Sequence, residues 1–168
     1  MLTSMVLAAA IGASPMQATE PQPNRDGWIE IEETSNLDGS RSYLAIKDAT
    51  DDAHTAAGLA KEPTLGVSCS NGNLRIILSW PTFLGLDEVW VDASADRGQV
   101  HKWTFMVPTQ GRIAAFEGSG NWRRFSNATA GRKTMTFRVH AYADTQEATF
   151  ELAGLSEVMS TALEVCGA

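Results

Sequence analysis

Two apolar runs meet at an Asn-Gly pair: residues 64–70 (TLGVSCS) and 74–80 (LRIILSW) flank Asn71-Gly72-Asn73. A tight hairpin turn needs positive φ at its central positions, and Asn followed by Gly supplies it at low steric cost. This stretch is therefore committed to two antiparallel strands, with Cys69 beside the turn. The second of the two cysteines, Cys166, falls in a C-terminal segment where Leu155, Val158, Met159, Ala162, Leu163 and Cys166 recur at helical spacing. That periodicity predicts an amphipathic helix over 156–166 with Cys166 on its apolar side. A helix laid on a sheet and tied to Cys69 by a disulfide satisfies both patterns, with two free buried thiols as the alternative. In the loop-entropy account, a closed loop near a hundred residues stabilises by up to about 5 kcal/mol.

Other segments repeat the strand signal. Residues 28–32 (WIEIE) alternate, and the 36–39 region supplies the turn that ends them. Residues 43–46 form a second short strand, and 48–62 (DATDDAHTAAGLAKE) lack an apolar stripe and read as a loop. Residues 88–93 (EVWVDA) and 101–107 (HKWTFMV) pair through Ala95-Asp96-Arg97-Gly98, and 133–142 (KTMTFRVHAY) pair with 146–152. Trp122 and Phe125, at i,i+3 spacing, predict a short helix ended by Gly131, while 112–116 carry no decisive pattern. About eight antiparallel strands with a C-terminal amphipathic helix packed on them give an α+β, sandwich-like domain.

Residues 1–18 (MLTSMVLAAAIGASPMQA) carry no charge, an apolar stretch over 6–11 and small residues at Ala13, Ser14 and Ala18, the pattern of a cleavable signal peptide. An apolar N-terminal helix packed on the domain is the other reading. The apolar run is far shorter than the roughly 20 residues that cross a bilayer, so no membrane span is expected. Residues 19–26 read as a polar, Pro-containing linker and 27–168 as one globular domain. A net charge of −7 at pH 7 disfavours nucleic acid, whose phosphates require concentrated Lys and Arg.

No established catalytic motif is present. Gly66-Val-Ser-Cys-Ser70 begins like a nucleophile elbow but lacks its last glycine and leads into a strand. Gly118-Ser-Gly120 is isolated from any phosphate-loop pattern. His54, His101 and His140 are scattered and no CxxC or HxxxH occurs, so neither a metal nor a cofactor is expected. Asp87, Glu88, Asp92 and Asp96 lie close along the chain, which suits either a solvated strand edge or, from Asp87 and Asp92, a carboxylate acid/base pair. Of Trp80, Trp90, Trp103 and Trp122, most belong in a core, but Trp90 shares a strand face with Asp92 opposite Val89 and Val91. Exposed there, it would anchor a partner, since Trp is prominent among interface hot spots. Arg123 and Arg124 beside Trp122, with Arg132 and Lys133 nearby, form the main basic concentration and suit an acidic partner or a solvated turn.

An ordered set of landmarks spans the domain: Trp28; Ser35-Asn-Leu-Asp38; LGVSC ending at Cys69; an apolar strand carrying Trp80; Val91-Asp92; Trp103; and Thr149-Phe-Glu-Leu-Ala-Gly-Leu155 leading to Cys166. This layout resembles the periplasmic accessory proteins associated with bacterial type VI secretion, the VasI/TagO family. The resemblance implies an exported, periplasmic or secreted, non-enzymatic accessory or binding protein with a structural cysteine pair and a protein partner in the envelope. Family members commonly carry Arg beside the Val-Asp, where this chain has Trp90, so no role of that Arg is carried over. A small secreted inhibitor of envelope enzymes and an envelope hydrolase are the competing expectations.

Overall fold

The computed structural model describes residues 24, 26–50, 62–108 and 111–167. The expected signal peptide, most of the 19–26 linker, much of the 48–62 loop and His54 lie outside them. The elements in chain order are β1 (Ile29–Thr34), β2 (Arg41–Asp48), β3 (Thr64–Ser70), β4 (Asn73–Ser79), β5 (Glu88–Ala95), β6 (Val100–Met106), β7 (Ile113–Glu117), α1 (Ser119–Thr129), β8 (Thr134–His140), β9 (Thr145–Glu151) and α2 (Leu155–Cys166).

The strands form one antiparallel sheet in the order β1-β2-β3-β4-β7-β6-β5-β8-β9. The β3–β4 hairpin turns through Asn71 and Gly72 at φ 51° and 72°, the left-handed conformations that the Asn-Gly pair predicts. The second hairpin turns through Asp96 and Arg97, also at positive φ. Between β6 and β7 the pairing narrows to Met106 opposite Ala115. There the sheet folds over, and its far ends meet where the Thr50 N–H, just past β2, donates to the Thr149 carbonyl of β9 (2.8 Å). The result is the sandwich-like α+β architecture expected from sequence, with β1–β4 and β7 facing β5, β6, β8 and β9.

Alternation decides what fills the interior. Val89, Val91 and Ala93 of β5 point inward with Trp103 and Phe105 of β6 and Phe137 and Val139 of β8, all buried. Opposite them stand Leu65, Val67, Ile76, Leu78 and Phe116. Phe116 stacks on Phe105 (4.9 Å between ring centroids) and on Trp103 (5.3 Å), which joins the halves through aromatic area. Trp80 Nε1–H donates to Gln146 Oε1 across the core at 2.6 Å, so two buried polar groups satisfy each other.

Helix α2 lies on β2, β3 and β4 and buries Leu155, Val158, Met159 and Ala162. Cys69 and Cys166 form the expected disulfide, with Cα atoms 5.7 Å apart. The ninth strand is β7, in the segment whose sequence pattern was indecisive. Helix α1 occupies the expected place and buries Trp122 and Phe125 against the core. The segment before β1 is tied to the sheet by Trp28, whose Nε1–H donates to the Ala153 carbonyl (2.8 Å), and by Lys47, whose ammonium donates to the Asp26 carbonyl (2.6 Å). The Asn24 side-chain oxygen accepts from the N–H groups of Asp26 and Trp28. Among the described residues no helix is long and apolar enough to cross a membrane, and no group of three metal-ligating side chains converges.

Candidate functional site

The outer face of β5, β6, β8 and β9 is built from the residues that alternation turns away from the core. Its rows follow from register. Trp90 sits between Thr104 of β6 and His140 of β8, and His140 is in turn opposite Thr145. The next row, Lys102, Asp92, Arg138 and Glu147, alternates in charge across four strands. Arg138 is paired with Glu147 (Nη2 to Oε2, 2.9 Å), and Thr136 is hydrogen-bonded to Thr149 (3.0 Å). Such exposed pairs each contribute under about 1 kcal/mol, but together they fix the side chains of a flat polar platform.

Trp90 interrupts that platform. Its side chain is 66% exposed although a core strand carries it. His140, directly across from it on β8, has its Nε2 3.0 Å from Oδ2 of the diagonal Asp92, so Asp92 and His140 brace one another beside Trp90. Leu86 (79% exposed), Met106 and Tyr142 (85% exposed) lie around the same end of the sheet. Met106 is opposite Glu88, two residues before Trp90; Tyr142 is two residues beyond His140 and meets the edge of the Phe83 ring at 6.2 Å. His140 borders two shallow concavities. One, of about 640 Å³, is lined by Trp90, Asp92, Lys102 and Thr104. The other, of about 490 Å³, is lined by Phe83, Leu86, Glu88 and Tyr142. Exposed aromatic and aliphatic side chains rimmed by charged ones thus share this end of the sheet.

The residues expected to meet a partner therefore separate. Trp90 and Asp92 share the outer face. Trp122 does not join them: at 8% exposure it is buried, because its i,i+3 spacing with Phe125 is the inward stripe of α1. Arg123 and Arg124 are exposed on α1, which packs on the inner side of the sheet, where Phe125 lies 6.0 Å from the Trp103 ring. Sequence reasoning did not single out Phe83, Leu86, Met106 and Tyr142. Met106 was readable from the alternation of 101–107; Phe83 and Leu86 lie in the irregular segment before β5, and Tyr142 depends on β8 pairing with β5. Asp87 and Asp92, the alternative acid/base pair, are five residues and about 16 Å of extended chain apart, beyond the roughly 5–9.5 Å between paired carboxylates in glycosidases.

Comparison of the chain with family profiles, with curated proteins and with solved structures returns no match.

Proposed function

We propose that the chain is an exported, non-enzymatic binding protein of the bacterial envelope, of the type VI secretion-associated accessory kind it resembles, and that it holds a protein partner on the Trp90 face. The observation that carries this reading is Trp90 itself. Leaving an indole two-thirds exposed on a core strand forgoes the burial that every other described tryptophan obtains. Its setting matches a hot spot, with a large rigid apolar group ringed by polar side chains that order the rim.

Export is supported by the Cys69–Cys166 bond, since structural disulfides persist in oxidising compartments. The uncharged, apolar segment 1–18 points the same way. The separation of Asp87 from Asp92 weighs against the hydrolase reading, and unchanged activity in an Asp87→Asn/Asp92→Asn variant would remove it entirely.

The test is a pull-down from periplasmic extract with the folded protein as bait. Wild type is expected to retain a defined partner that Trp90→Ala retains roughly thirtyfold more weakly, the loss equivalent to a 2 kcal/mol hot spot. Equal retention by both proteins, or no specific partner for either, would overturn the reading. Inhibition of lysozyme-type enzymes in a titration would assign the same face to an inhibitor instead.

A further inference from the structure

A second site lies on the inner side of the sheet, away from the Trp90 face. Arg124 and Asn127 of α1, Arg132 just beyond it, Gln99 from the β5–β6 turn, and His101 and Trp103 of β6 border a cavity of about 300 Å³. No carboxylate lines it. Neither Arg124 nor Arg132 makes an ion pair within 4.0 Å of a carboxylate among the described residues. The nearby acid Asp96 is within electrostatic reach of Arg132, but it does not line the cavity and its Oδ1 accepts from the backbone N–H groups of Lys133 and Thr134 (3.0 and 2.9 Å). In a chain of net charge −7, with twenty acidic residues against thirteen Lys and Arg, two guanidinium groups at one cavity with no carboxylate within 4.0 Å among the described residues are a local reversal of sign.

An aromatic stack holds the cavity wall in place. His101 stacks on Trp103 (5.9 Å, 18°), Trp103 on Phe116 (5.3 Å, 23°), and the Arg124 guanidinium rests 5.9 Å from the Phe116 ring centroid. A guanidinium seated on a ring keeps its N–H fork directed outward, which lowers the entropy lost when an acceptor binds. Gln99 and Asn127 add amide donors, and the His101 ring adds another nitrogen. The carbonyl end of α1 faces the same region and carries about half an elementary negative charge, which favours Arg132 there and opposes an anion. Two full positive charges outweigh it even with the charge of Asp96 set against them.

We infer that this cavity binds an oxyanion, a carboxylate or a phosphate ester, by bidentate contact with Arg124 and Arg132. The volume accommodates one acidic group with a single sugar or amino acid attached, whether free or carried on a wall polymer. The site is independent of the partner proposed for Trp90.

Titration of the labelled full-length protein with inorganic phosphate and, separately, with glucuronic acid, followed through the arginine side-chain and His101 NMR signals, tests the inference. At low salt at least one probe is expected to shift Arg124, Arg132 and His101 together and saturably. Arg124→Gln/Arg132→Gln is expected to weaken that binding about tenfold or more, as loss of charge-assisted bonds does, while Arg123→Gln and Trp90→Ala leave it unchanged. Preference between the probes identifies the phosphate or the carboxylate source. An equal loss in Arg123→Gln would show diffuse surface attraction and overturn the site, as would the absence of shifts with both probes.

Discussion

Removing the Cys69–Cys166 bond is the perturbation whose size can be worked most directly. The bond closes a loop with a sequence separation of 97, and the chain-entropy relation converts that length to about 4.7 kcal/mol at 25 °C. In the native state α2 also buries Leu155, Val158, Met159 and Ala162, contacts that do not involve the bond itself. The appropriate variant is Cys69→Ala/Cys166→Ser: Cys69 is 1% exposed and would bury an unpaired hydroxyl as serine, whereas Cys166 is half-buried. Urea unfolding of the two proteins under identical conditions reads the difference. With a slope of about 2 kcal/mol/M, the midpoint should fall by about 2 M, and the slope should rise because the unfolded chain without its cross-link exposes more surface. A fall worth less than about 1 kcal/mol would refute the reasoning, since the unfolded chain would then be held in its loop by something other than the disulfide.

Three further outcomes follow from named contacts. Trp122→Ala should cost about 3–5 kcal/mol of stability, as truncation of a buried aromatic does, whereas Trp90→Ala should change stability by no more than about 0.5 kcal/mol; paired thermal melts separate them. Burial, the largest cause, lowers the Lys47 pKa below its ordinary value, so the native state sheds this proton before the unfolded chain does. Stability should therefore rise with pH in the window just below 10.5, and Lys47→Met should remove that rise in urea titrations at stepped pH. Asp96 accepts from the Thr134 N–H, the largest cause holding its carboxyl below the ordinary 3.8, followed among the favourable ones by the N–H of Lys133. Its contribution is present above that value and lost as pH falls through the lowered one, so Asp96→Asn, which tolerates the φ of 49°, should flatten the acid limb of the stability curve below pH 4.

How much of this was legible depends on whether the signal was local. The β3–β4 hairpin and α2 were readable because Asn71-Gly72 and the Leu155–Cys166 periodicity each act within a few residues, and the disulfide joined them. Strand β7 was not, because Ile113-Ala-Ala-Phe-Glu117 is short and its two alanines blunt the alternation; its strand state comes from pairing with β4. Trp90 and Asp92 were found because period two places them together outside. Tyr142 was not, since it reaches the Trp90 region only because β8 crosses over to pair with β5, a choice made by the core packing of Phe137 and Val139. The basic run was legible as a charge but not as an arrangement: the helix turns Trp122 inward, and Arg124 and Arg132 border one cavity.

The central claim, that a protein partner sits on the Trp90 face, is tested most directly by placing a photo-crosslinking residue at position 90, at Tyr142 and, as a control, at the exposed Glu33 of β1, in protein exported to the periplasm. The account predicts one discrete adduct of the same mass from positions 90 and 142 and none from position 33. No adduct at 90, or the same adduct from all three positions, would contradict it.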